Sequence, residues 1–193
     1  MRLFLAYDFE STIVSEIEKI SSFLKKEFKD NPNFTKNFKA NFVDTSSIHI
    51  TLKFFEDEDE NLIVNSLRNS NEDFSLHNYD FYLLGLNAFP DKNQPKVLVL
   101  PVYDEANLIE KNFLKIEKIL NSVGIKKETR KFKPHLTIAR IKYCNFNSFD
   151  NFNYWGKLII YESDKLKFKL NKLKLYQSIL TPEKPIYKEM YEF

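Results

Sequence analysis

Ile48-His49-Ile50-Thr51-Leu52-Lys53-Phe54-Phe55 and Pro134-His135-Leu136-Thr137-Ile138-Ala139-Arg140 share one pattern: a histidine, then a threonine two positions on, inside an alternating apolar run. Alternation with a period of two marks a β-strand, in which every second side chain points the same way. His49 and Thr51 therefore share one face, and so do His135 and Thr137. These segments use two of only three histidines in the chain. Imidazole, with an ordinary pKa of about 6.5, exchanges protons near neutrality. If the two strands meet, they flank a phosphoryl group with one base, one acid and two hydroxyl donors. One copy alone would be ordinary strand residues; the repeat turns the pattern into a candidate catalytic set, His49, Thr51, His135 and Thr137.

Working outward, Arg2 to Phe9 alternates as a strand. Ser11 to Phe28 places Ile13, Ile17, Ile20, Leu24 and Phe28 at helical spacing. Lys29 to Lys39 reads as a loop leading to the first His strand. Glu56 to Glu60 puts negative charge before a second helix containing Leu62, Ile63 and Leu67, where the helix dipole favours it. Strands are expected at Phe74–Leu86 and Lys96–Tyr103, and a long helix at Asp104–Val123 ended by Gly124. The second His strand follows at Pro134–Ile141, then strands near Lys157–Tyr161 and Lys165–Ser178 and a last one running to Phe193. A long helix, a loop and a His-x-Thr strand thus occur twice, so a duplicated α+β unit fused into a single domain of two pseudo-symmetric lobes, residues 1–193, is the simplest organisation.

Composition limits the alternatives. Apolar residues make up 43% of 193, enough for a real core, and with 3 Gly there is neither a P-loop nor a dinucleotide fingerprint. A net charge of +2 gives no general polyanion coat, so any nucleic-acid contact must be local. The single Cys144 rules out an internal disulfide and a Cys-rich zinc site, and two histidines fall short of a zinc shell, so no metal and no cofactor is expected. No run approaches the roughly 18 apolar residues of a membrane span. A cytoplasmic monomer that avoids membranes is the expectation. His77, flanked by Leu76 and Asn78 without a threonine partner, reads as a structural or surface residue.

With these motifs in place, the chain resembles the 2H phosphoesterase superfamily, and within it the RNA 2′,3′-cyclic phosphodiesterases, historically called 2′-5′ RNA ligases. The resemblance rests on Arg2-Leu3-Phe4-Leu5-Ala6, both His-x-Thr blocks, Gly85-Leu86-Asn87-Ala88-Phe89-Pro90 and the closing Leu175-Tyr176-Gln177-Ser178 to Pro185-Ile186-Tyr187. It implies a bilobal α+β fold, with two antiparallel β-sheets facing a central cleft and helices on the outside. It implies hydrolysis of an RNA or nucleoside 2′,3′-cyclic phosphate to a 2′-phosphomonoester, with joining of 2′-5′ linkages as a related activity. Within this reading His49 is assigned as general acid and His135 as general base, although a near-symmetric repeat does not orient the substrate. Action on 2′-5′-linked oligonucleotides or another small cyclic phosphate, or RNA binding without turnover, are the alternatives.

Four further residues are candidates for substrate binding. Strand parity places Lys53 and Phe55 beside His49, Lys53 toward a phosphate and Phe55 toward a base. Arg130 and Arg140 match basic positions of the family before and after the second motif. An ideal strand turns Arg140 away from His135, so it reaches the cleft only if the strand bulges or ends first. Three departures stand out: Phe42-Val43 where many relatives carry a Trp-containing segment, no glycine after Phe55, and an atypical stretch at 143–164. In that stretch Tyr154 or Trp155 could stack a base, with burial in the core as the simpler role.

Overall fold

A computed structural model describes residues 2–90, 95–144, 166–182 and 184–193. The strands are β1 (Leu3–Phe9), β2 (Phe38–Phe42), β3 (Ile50–Phe55), β4 (Phe81–Leu83), β5 (Asn87–Phe89), β6 (Val97–Tyr103), β7 (His135–Cys144), β8 (Lys167–Phe168), β9 (Leu170–Ile179) and β10 (Ile186–Glu192). The helices are α1 (Ser11–Asp30), α2 (Pro32–Asn37), α3 (Glu60–Arg68) and α4 (Leu108–Ser122). One antiparallel sheet runs β10-β9-β1-β3; the other runs β2-β7-β6-β4-β8, with β5 also paired to β6. The first His motif ends up in one sheet and the second in the other, and β3 packs against β7 where they meet.

The sheets do not follow the halves of the sequence. The last two strands complete the first sheet, and β2 from the first half pairs with β7 in the second. Helices cross over as well. Helix α4 lies under the first sheet, where Asn112 Nδ2 donates to the Tyr7 hydroxyl at 2.8 Å. Helix α1 reaches the second sheet, packing Phe28 as a tilted ring against Phe38 and Phe42 of β2. Alternation explains the two faces of β1: Leu3, Leu5 and Tyr7 join the main core, while Phe4 and Ala6 are buried on the opposite, cleft-facing side.

Three element expectations change. Lys29–Lys39 is not loop: Pro32 opens α2, a position where its missing N–H costs nothing, and Phe38 begins β2. Phe74–Leu86 pairs only over Phe81–Leu83. The Phe74 carbonyl is taken instead by the Tyr7 hydroxyl at 2.6 Å and by Asn112 Nδ2 at 3.1 Å, a buried polar knot that replaces the ladder. After Phe55, where a glycine was missed, Asp57 adopts φ +52° and makes the turn in the left-handed region that Asp tolerates. The strand expected at Lys157–Tyr161, with Tyr154 and Trp155, lies outside the described residues.

Candidate active site

Each histidine is held in the same way. His49 Nδ1 lies 2.8 Å from the Ser47 carbonyl, and His135 Nδ1 lies 2.6 Å from the Lys133 carbonyl, both two residues back. A carbonyl oxygen only accepts, so Nδ1 carries the proton and Nε2 is left to exchange one in the cleft. Aromatic rings fix the imidazole planes. His49 stacks on Phe4 with centroids 4.8 Å apart and meets the Tyr187 edge at 5.1 Å; His135 meets Phe89 edge-on at 4.8 Å.

Strand parity fails after both motifs, and for one reason. Ala6 pairs with Thr51 but Leu5 pairs with Lys53, so Leu52 is an extra residue, a β-bulge. In the second sheet Val99 pairs with Thr137 and Leu98 with Ala139, so Ile138 is the equivalent bulge. Each bulge reverses the faces beyond the threonine. Lys53 and Phe55 therefore leave the face of His49, correcting the parity expectation. Phe55 is buried in the core, and Lys53 passes under the sheet to Glu117 of α4 at 2.5 Å. Phe54 comes up instead, 67% exposed and packed 5.7 Å from Phe4. At the matching position of the second motif, Arg140 comes up on the side of His135 and acts on His49. The irregularity that Arg140 required is present.

The other candidates lie elsewhere. Arg130 is exposed and engaged with Glu128, its Nη2 3.0 Å from Oε2. His77 is exposed and bonded to the Ser75 hydroxyl. Residues that sequence reasoning passed over line a cleft of about 340 Å³ beside His49: Phe4, Asp8, Ser47, Tyr176, Lys184 and Tyr187. Asp8 Oδ2 accepts from Lys174 at 3.0 Å and from the Tyr176 hydroxyl at 3.3 Å. For Phe4 and Asp8 the signal was the alternation itself, since Phe4, Ala6 and Asp8 form the second face of an otherwise core-forming strand. Phe42 and Val43 border a separate groove of about 400 Å³ against α1, lacking a histidine. Among the described residues no group of three or more His, Cys, Asp and Glu side chains could hold a metal ion.

Burial disfavours the imidazolium at both sites. It brings His49 down to about 4, opposed by the Ser47 carbonyl and reinforced by Arg140 and His135. His135 is lowered by burial too, against the pull of the Lys133 carbonyl. Because the folded pKa of His49 lies below the unfolded value, the unfolded chain binds the extra proton. Stability is therefore expected to be full above about pH 6.5 and to fall as the pH drops toward 4. Chemical denaturation at pH 4.5 and 7 should show this loss, and His49→Gln should reduce it.

A family model described as LigT like Phosphoesterase matches residues 101–187, which hold the second motif. Full-length relatives cover the first motif as well. The chain is 34% identical over 194 residues to a Methanocaldococcus jannaschii protein named RNA 2′,3′-cyclic phosphodiesterase, with 100% of both chains covered. The chain belongs to the LigT-like phosphoesterase family. An Archaeoglobus fulgidus relative of the same name is 30% identical, covering 100% of this chain and 99% of that one. Escherichia coli LigT complexed with 3′-AMP superposes with a TM-score of 0.66 at 15% identity, covering 100% of this phosphoesterase and 96% of that chain, and so shares its fold. The two antiparallel sheets of the expected α+β architecture are thus those of LigT-like phosphoesterases. Among the described residues no helix of this LigT-like phosphoesterase is long and apolar enough to cross a membrane.

Proposed function

We propose that this LigT-like phosphoesterase hydrolyses 2′,3′-cyclic phosphates, at RNA ends or on nucleosides, to 2′-phosphomonoesters. The observation that carries the reading is the matched pair of imidazoles, each with Nδ1 tied to the carbonyl two residues back and a threonine on its own face. Water attacks phosphorus as its proton passes to Nε2 of His135. The bond from phosphorus to O3′ breaks, and O3′ takes a proton from Nε2 of His49. The phosphate stays on O2′. Thr51 and Thr137 donate to the non-bridging oxygens, with Arg140 adding charge on the same side.

His49 suits the acid role in the complex despite its low pKa in the free protein. It is the more deeply buried imidazole, so a bound anion acts on it with the least solvent screening and raises its pKa most. Nuclear magnetic resonance titration should find His49 near 4 alone and clearly higher with 2′-AMP bound, moving further than His135. An unchanged His49 would remove this assignment. With the 5′-hydroxyl of a second RNA end in place of water, the same two groups in the same roles join a 2′-5′ linkage: O5′ gives its proton to His135 as it attacks phosphorus, and O3′ leaves with a proton from His49.

Phe54, not Phe55, is the base-stacking wall in this reading, because the bulge exposes it on the cleft face. Stacking on an aromatic is worth about 1–3 kcal/mol per base, so Phe54→Ala should cut kcat/KM by roughly 5- to 150-fold. The direct test incubates each 2′,3′-cyclic nucleotide with the protein in EDTA and identifies the product isomer. A 2′-phosphate with undiminished rate is expected; a 3′-phosphate, or loss of turnover in EDTA, would overturn the mechanism.

A further inference from the structure

We infer that Lys53 and Glu117 form a positioning strut that holds the two histidine motifs in register. The inference rests on the proposed reaction and concerns residues that take no part in its proton transfers. Both side chains are only 6% exposed, and Lys53 Nζ lies 2.5 Å from Glu117 Oε1. The same ammonium donates to the Lys126 carbonyl at 2.8 Å, and Glu117 Oε2 accepts the Glu128 backbone N–H at 2.7 Å. One ion pair thus joins three parts of the chain: the strand of the first motif, α4, and the segment that leads into the second motif.

Both ends of the strut bear on the site. Lys53 directly follows the Leu52 bulge, so anchoring it beneath the sheet maintains the offset that keeps Thr51 and Phe54 on the cleft face. At the other end, residues 125–134 run from α4 to His135 and contain Lys133, whose carbonyl orients the His135 ring. That segment is clamped at 126 and 128 by the pair, at 132 by Phe132 stacked 4.4 Å from Phe113, and at 134 by Val102 N–H bonded to the Pro134 carbonyl. The second motif has Ala139 where the first has Lys53, so the strut is not duplicated. A buried ion pair is weak evidence for stability, because desolvation offsets its attraction, whereas fixing one geometry is a better-supported use.

The test pairs Lys53→Met with Glu117→Gln in one protein. Both charges go, and with them the links from β3 to α4 and to the Lys126 carbonyl, while the Gln amide oxygen still accepts the Glu128 N–H. Expected are a Tm within a few degrees of the wild type, KM within about twofold, and kcat lowered roughly 10- to 100-fold, as for small misplacements of reacting groups. The His135 imidazole resonance should shift or broaden. A stable double variant with wild-type kcat and an unchanged His135 resonance would show that the pair only supports the fold. Should the double variant not fold, hydrogen exchange on the wild type decides: the Glu128 and Val102 amides should open with one common free energy, and independent opening sinks the strut. The His135 resonance and the hydrogen-exchange readout need no turnover, so failure of the strut and failure of the proposed reaction remain distinguishable.

Discussion

His49→Ala and His135→Ala, made separately, are each expected to lower kcat on a 2′,3′-cyclic nucleotide by about 10²- to 10⁴-fold, the usual contribution of one positioned acid or base. The two losses should not add in the double variant, because a water without a base and a leaving oxygen without an acid belong to one transition state. Fold is expected to survive. Each imidazole lines the cleft with Nδ1 held by a local carbonyl, and the core beneath is made by other residues. Circular dichroism and Tm check the fold, and steady-state kinetics with product identification checks the chemistry. A variant lacking either histidine yet turning over at the wild-type rate ends the two-imidazole reading.

Lys53→Met alone is expected to be the most damaging single change outside the clamp. It leaves the Glu117 carboxylate, buried beneath the first sheet, with the Glu128 amide as its described partner and no opposing charge. Removing one member of a buried pair costs about 3–5 kcal/mol. At roughly 2–4 °C per kcal/mol for a chain of this size, Tm should drop by about 6–20 °C. Differential scanning calorimetry checks this, and adding Glu117→Gln should restore much of the loss. If Lys53→Met melts with the wild type, the pair is not buried as described.

The contrast between Lys53 and Arg140 shows how much of the site was legible in the chain. Types, order and spacing of the four clamp residues stand in the sequence because a period of two is a local property of an extended backbone. Phe4, Ala6 and Asp8 were equally legible as a second face of β1, though nothing local told which face would meet the other sheet. Lys53, Phe55 and Arg140 were misplaced by parity, since an extra residue opposite a partner strand is defined only by that partner. Nothing in Leu52 or Ile138 announces a bulge: both are ordinary apolar strand residues. Pro32 and Phe74 tell the same story, one starting a helix inside a polar stretch, the other giving its carbonyl to Tyr7 instead of a ladder.

By itself, then, the sequence determined the α+β class, the long helices, and two histidine–threonine pairs, each on a single strand face, because propensity and periodicity act between near neighbours. Only the tertiary structure decided that the last strands complete the first sheet, that β3 and β7 meet, and that paired bulges raise Phe54 and Arg140 while sending Lys53 down to Glu117. Those outcomes depend on pairing between residues far apart in the chain, where register, burial and charge are settled together.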